Sequence, residues 1–360
     1  MPRRTHVPDG VGDYASLLAE ALRQHAGLES VFLQGTTAAT APPRDDCWPT
    51  LSVPRRTSDA LLTTLSAING EYSPSAVLIH LSLYGYQSRG LPAWLPDGLE
   101  RWKAQHRDVP LIMMFHEVWA ADARDPLTSS FWTAPLQRRI VGRLRMISDA
   151  LVTTTQRYQQ LLGASARSGP QAVVLNVFSN VGEPDEVLAP DERPSRMVIF
   201  GGMGSAQLAA QHAGQMGRLL AAAGITEIVD IGKRSQQMPG GIDSIPVVAR
   251  GMLPAADVSA ILSESRIGIL PYPNRSVLGK SGIMAAYAAH GVVPVAMEVS
   301  HEDADGLNAG LHYMTASAPV ASSSALKSVQ TKLLEWYRGH ALGVQAQHYA
   351  AIIRAAIRAQ

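Results

Sequence analysis

Short apolar runs bounded by turn residues recur along the chain at 30–33, 76–81, 111–115, 150–153, 172–177, 197–200, 227–231, 267–270 and 292–296. Each reads as a buried strand. Between them lie segments with helical spacing, the clearest being Tyr14, Leu17, Leu18, Ala21 and Leu22, a one-faced stripe that Gly27 is placed to end as the C′ residue. Strands alternating with helices predict an α/β chain with parallel sheets covered by helices. The tail from 322 to 360 reads as helices, with Leu326, Val329, Leu333, Leu334 and Trp336 followed by Tyr349, Ile352, Ile353 and Ile357.

The pattern breaks once, at 182–195, where GEPDEVLAPDERPS is polar, proline-rich and without either period. It reads as a linker between one α/β unit before it and a second running to about residue 311. At roughly 150 residues per domain, a chain of 360 residues fits the same division. Hydrophobic residues at 46% and charged residues at 17% exclude a disordered or fibrous chain. Lys+Arg 31 against Asp+Glu 30 leaves +1, too little for a molecule built to neutralise a phosphate backbone, so nucleic acid is not expected as a partner. Cys47, the single cysteine, forms no internal bridge and has no metal-ligand cluster around it, which suits a reducing cytoplasm. Residues 1–9 carry no apolar export core, and no run of about 18 apolar residues spans a membrane. A Gly-rich turn normally follows a strand, and 1–7 makes a poor one; either that strand is degenerate or the native start lies upstream.

Four constellations bear on chemistry. Gly10 and Gly12 open the first helix, where close backbone approach and the helix dipole favour an anion, although an ordinary loop-to-helix turn reads the same way. His116 and Glu117 follow an apolar strand, at the carboxyl end where open α/β sheets collect ligands; there a histidine can exchange protons or bind hydroxyls, or simply be structural. Lys280, Ser281 and Gly282 lead into a helix and form a compact anion site or a plainly capped helix. Asn274 stands where a nucleoside-triphosphate loop needs glycine, so that reading fails. Gly201, Gly202 and Gly204 follow the strand at 197–200, but Gln207 and the distant Asp230 do not match a dinucleotide fingerprint.

Two softer signals accompany these. All tryptophans but Trp336 lie in the first half, available for core packing or for stacking on sugars. Arg138, Arg139, Arg143 and Arg145 give one helix a basic character suited to solvation or to a peripheral contact with anionic lipid.

Taken in order, DGVGDYASLLAEAL, MFHEVWA, DALVTTTQRYQQLL, NVFSNVGEP, VIFGG, GILPYP and SGIMAAYAAHGVVPV resemble the retaining family 4 glycosyltransferases of the GT-B fold. The resemblance implies two Rossmann-like domains facing across a cleft: 1–185 for the acceptor, 186–335 for the sugar nucleotide, and a helix at 336–360 returning to the first domain. It implies sugar transfer from a nucleotide-sugar donor to a glycan, glycolipid or other lipid-linked acceptor, with retention, no metal and no further cofactor, in the cytoplasm or at the inner face of the membrane. Helix N-termini and basic side chains would then stabilise the departing diphosphate. Lys280 and His116 match the catalytic roles; Gly10, Gly12, Gly202, Lys233, Arg234, Ser281 and Gly282 match donor binding. HLSLYGYQSRGLPAWL resembles a subgroup of the family and places Tyr84 and Tyr86, with Glu117, toward an acceptor.

The chain also departs from the family. Its paired glutamates fall on Leu278 and Ala286, and the stretch 202–211 holds no basic residue. Three other readings therefore stand beside transfer: a degenerate nucleotide-sugar-binding protein, a sugar-nucleotide epimerase and a nicotinamide oxidoreductase.

Overall fold

The computed structural model describes residues 1–2, 9–35, 48–164, 169–202, 204–270, 275–297, 305–318 and 322–360. Cys47, Met203, Pro271, Tyr272, Pro273 and Asn274 lie outside the described residues. The chain forms two compact units, Met1–Leu175 with Leu342–Gln360, and Asn176–Ala341.

In the first unit the order is α1 (Gly10–Ala26), β1 (Phe32–Gln34), β2 (Thr50–Ser52), α2 (Ser58–Tyr72), β3 (Val77–Leu81), α3 (Leu83–Tyr86) and α4 (Trp94–Gln105). It continues through β4 (Leu111–Phe115), α5 (Ser129–Met146), β5 (Ala150–Thr153), α6 (Gln156–Ala164) and β6 (Ala172–Val174). β3-β4-β5-β6 form a parallel four-stranded sheet, and β1 pairs in parallel with β2. β4, LIMMF, is buried along its whole length, as a central parallel strand covered on both faces must be. Tyr14, Leu18, Ala21 and Leu22 are the buried face of α1, and Gly27 ends it at φ 66, donating to the Arg23 and Leu22 carbonyls.

The second unit holds β7 (Arg196–Phe200), α7 (Ser205–Ala222), β8 (Glu227–Ile231), β9 (Met238–Ile242), β10 (Ile245–Gly251) and α8 (Ala255–Ser263). β11 (Ile267–Leu270), α9 (Gly282–His290), β12 (Val293–Ala296), β13 (Met314–Thr315) and α10 (Ser323–Arg338) complete it. The final helix, α11 (Leu342–Arg358), belongs to the first unit, where the Tyr349 hydroxyl lies 3.3 Å from that of Tyr14 and Arg354 donates to the Ala26 carbonyl.

Residues 182–195 are pinned within the second unit. The buried Arg193 guanidinium donates to the carbonyls of Leu188, Ser265 and His290, and Gln330 donates to those of Leu188 and Gly291. The boundary accordingly falls at Leu175/Asn176 rather than at 185. Residues 176–179 are tied to the second unit by Val177 N donating to the Gly279 carbonyl at 3.0 Å and Ser179 N donating to the Tyr337 hydroxyl at 2.8 Å.

The sheet of the second unit runs β13-β12-β11-β7-β8-β10-β9, with only β9 antiparallel among these described strands. The chain steps outward from β7 to β10 on one side, then returns to β11 on the other. That reversal is the Rossmann order, and it leaves a topological switch point between β7 and β11.

α9 is seated there by one side chain. Tyr287, fully buried, donates its hydroxyl to the Ile269 carbonyl at 3.2 Å, with the Val198 carbonyl at 3.5 Å, and its ring lies flush on Gly268. A Cβ at Gly268 would stand 2.6 Å from that ring. Gly268→Ala should therefore lower unfolding free energy by about 1–3 kcal/mol through overpacking. Gly70→Ala, in the exposed interior of α2 with open space around it, should instead raise it by roughly 0.5–1 kcal/mol. Urea denaturation of both variants checks the pair.

Candidate functional site

At the switch point of the second unit, backbone groups and basic residues gather beyond the carboxyl ends of β7, β8 and β11. The turn after β7 is compressed: Gly201 adopts φ 112, and a Cβ on it would lie 2.5 Å from Ile283 Cδ1. The glycine turn thus rests on the first turn of α9. Gly202 is exposed, and a Cβ on it would meet nothing within 4 Å. Gly204 caps α7 so closely against the Arg234 carbonyl that no side chain fits. Arg234, exposed, donates to Gln207 Oε1 at 3.1 Å, so the loop after β8 delivers a guanidinium to the first turn of α7. Lys233 beside it is also exposed.

Ser281 is buried, and its Oγ accepts from Met284 N at 3.1 Å, making it the N-cap of α9, one of the two readings its sequence allowed. The Gly282 and Ile283 amides, first in the helix, have no intrahelical acceptor and carry the positive end of its dipole. Gly282 is exposed and Lys280 half-buried. The turn that presents Lys280 is braced by residues of the NVFSNVGEP tract: a Cβ on Gly279 would strike the Asn176 amide and come within 2.5 Å of the Asp305 carboxylate. Asp305 is itself buried and held at φ 56. Leu278 and Ala286, at the family's glutamate positions, are both buried.

Asp230 is 1% exposed, and its Oδ2 accepts from Ser205 N at 2.8 Å. It caps α7 instead of meeting a ribose, which removes the acid that a dinucleotide site would use. His290 is equally committed, with Nε2 2.7 Å from Ser259 Oγ and Nδ1 2.8 Å from the Ala286 carbonyl. Burial lowers its pKa. Among the described residues, no group of three His, Cys, Asp or Glu side chains is placed to hold a metal ion.

The first unit has its own cluster at the ends of β3 and β4. His116 N donates to the Leu81 carbonyl at 3.1 Å, extending the β4 pairing by one step. His80 Nδ1 lies 3.0 Å from His116 Nε2, and the two rings stack at 5.3 Å. Tyr14, one turn into α1, meets both imidazoles edge-on, at 5.8 Å and 5.0 Å. The glycine-led helix start and the histidine strand end are therefore one site. Burial, and then the neighbouring His116, hold His80 well below the usual histidine range; burial raises the Tyr14 phenol. Ser82 donates to Glu117 Oε1 at 2.6 Å, which fixes that carboxylate beside His116.

The glycines and tyrosines divide. Gly10 is exposed, whereas Gly12 is buried and its carbonyl accepts from Ser16. Asp13 Oδ2 accepts from Asp9 N at 3.0 Å, so α1 already has a carboxylate at its positive end, opposing a second anion there. Tyr84 is 47% exposed, with its hydroxyl accepting from Gln137 at 3.0 Å. Tyr86 is 2% exposed, packs on Trp94 and donates to the His80 carbonyl. It is a core residue, and the expectation that it faces an acceptor is corrected by that burial. Sequence reasoning passed over His80, Gln137, Asn176 and Asp305. A histidine inside the apolar run 76–81 was the one visible signal among them.

No family profile matches the chain, and no curated protein matches it. Solved structures do, along nearly the whole length. The lipopolysaccharide outer core galactosyltransferase WaaB in its apo form aligns with TM-score 0.57 at 11% identity, over 98% of each chain. The Anabaena protein HepE, in complex with UDP and glucose, gives 0.56 at 10%, over 98% of each chain. A UDP-GlcNAc 2-epimerase from Neisseria meningitidis, bound to UDP-GlcNAc, gives 0.54 at 10%, over 98% of this chain and 97% of that one. At these identities the likeness shows the fold: this is a GT-B chain of two Rossmann-like α/β units.

Proposed function

We propose that the protein is a glycosyltransferase that moves a sugar from a nucleotide-sugar donor to a glycan or lipid-linked acceptor, with retention and without a metal ion. The observation that carries this is the second unit's switch point, where the glycine turn after β7 rests on Ile283 in the first turn of α9 and Arg234 from the β8 loop reaches the first turn of α7. The chemistry suits a diphosphate. As the glycosidic bond to the donor breaks, negative charge grows on the leaving phosphate, and fixed amide dipoles and cations stabilise it without reorganising. Lys280 and the α9 amides take the phosphates, with Lys233 and Arg234 adding charge from the β8 loop. Under front-face attack the leaving phosphate accepts the acceptor's proton. On the first unit, His116, Glu117 and Tyr84 present hydrogen-bonding groups of the kind that hold a sugar hydroxyl. HepE and the Neisseria epimerase, both captured with UDP-containing ligands, lend support to a nucleotide sugar as partner.

Thermal shift against UDP-, GDP-, ADP- and dTDP-sugars in EDTA should show one nucleotide series raising the melting temperature. Lys280→Ala should remove that shift and lower kcat by about 100-fold or more while leaving the ligand-free melting temperature unchanged. Full turnover in this variant removes the assignment. The buried Leu278 and Ala286 favour one second reading, a binding protein that has lost catalysis; it predicts the shift with neither transfer nor donor hydrolysis. Conversion of donor without acceptor would instead mark an epimerase.

The composition of α5 supports a lipid-linked acceptor at a membrane surface. Arg143 is held by Asp97 and Glu100, and Arg145 is buried, so only Arg138 and Arg139 of the four arginines form an exposed basic face. Leu127, Trp132 and Leu136 lie beside it, 95%, 68% and 52% exposed. Exposed Trp and Leu next to Arg are the composition of an interfacial helix on anionic lipid. No helix among the described residues is long and apolar enough to cross a membrane. We place the protein in the cytoplasm, at the inner membrane face. It should cosediment with vesicles containing phosphatidylglycerol but not with phosphatidylcholine alone, and Trp132→Ser with Arg139→Ser should abolish this; equal binding to both vesicles contradicts it.

A further inference from the structure

β3 buries one polar side chain in its apolar run, His80, and the transfer chemistry above does not use it. At 6% exposure an imidazole is costly to bury unless its nitrogens are hydrogen-bonded. Its Nδ1 meets His116 Nε2 at 3.0 Å, with the rings stacked at an interplanar angle of 28°. Tyr14 closes the edges of both rings and is held in turn by the Tyr349 hydroxyl, while Tyr86 anchors the His80 carbonyl. The His80 ring is thus fixed from β4, α1 and α3.

A hydrogen bond between two imidazole nitrogens needs one N–H and one lone pair. The role of His116 Nε2 is therefore set by His80, and in a neutral ring the role of its Nδ1 is set as the complement.

We propose that His80 is a positioning residue for His116: through the Nδ1···Nε2 hydrogen bond it holds that imidazole in one tautomer and one ring plane, so that His116 presents a single defined nitrogen to the reacting hydroxyl. This rests on the reading of His116 as the group that meets the acceptor. The arrangement resembles a carboxylate–histidine pair with a second imidazole in place of the carboxylate.

Imidazole 15N NMR on the full-length protein tests the claim without any substrate. The wild type should show one neutral tautomer for His116 and a scalar coupling across the hydrogen bond between His80 Nδ1 and His116 Nε2. His80→Phe, which keeps an aromatic ring, should give two exchanging His116 tautomers. His80→Asn, whose amide occupies the Nδ1 position, should restore one. A tautomer mixture in the wild type, or an unchanged single tautomer in His80→Phe, overturns the proposal. With donor and acceptor in hand, His80→Phe should lower kcat by about tenfold with acceptor KM changed less than about threefold, and His80→Asn should recover most of the loss. Normal kcat in His80→Phe overturns the positioning role. If no donor binds, the transferase reading fails while the NMR result still decides the His80–His116 linkage.

Discussion

A leaving diphosphate develops charge faster than loose side chains can rearrange, so the positive potential that receives it must be in place beforehand. Under the proposed transfer, that requirement in the second unit comes down to the docking of α9. Tyr287 lies flat on Gly268 and hydrogen-bonds across β11 toward β7, and this seats the first turn of α9 on the glycine turn after β7. Ser281 then caps the helix and takes the third amide, which leaves the Gly282 and Ile283 amides without an intrahelical acceptor. The basic residues are arranged around that fixed point: Lys280 through the braced turn at Gly279, Arg234 through Gln207.

The first unit follows the same logic with a different chemistry. Its polar groups are also collected at strand ends, but they are imidazoles, a carboxylate and phenols rather than cations. Tyr14 ties α1 to the histidine pair and, through Tyr349, ties α11 to α1. The C-terminal helix is therefore part of the scaffold behind His116. Burial first, and then the neighbouring His116, account for the low basicity of His80.

The fold was legible where burial writes itself into composition. Runs such as LIMMF and IGIL are buried on both faces and read directly as central strands. β2, β9 and β13 were not legible. They are short or sheet-edge elements, and β9 is written MPGGI, where proline and glycine look like a turn. The positions of His116 and Lys280 were legible, because one follows a recognisable strand and the other precedes a capped helix. The partners were not, since they depend on tertiary pairing: Arg234 reaches α7 from another strand's loop, and His80 stands opposite His116 only because β3 and β4 pair in register at His80 and Met114. Ser281 caps α9, which its sequence could give only as one of two alternatives, because a capping serine and a ligand-binding serine have the same local sequence.

The most direct measurement is a crystal structure of the protein grown with a nucleoside diphosphate in the presence of EDTA. The account predicts the β-phosphate beyond the ends of β7 and β11, with oxygens about 2.7–3.2 Å from the Gly282 amide and from Lys280 Nζ. A nucleotide bound elsewhere on the chain, or this position empty at millimolar nucleotide with the Lys280 ammonium paired to a protein carboxylate, would contradict it.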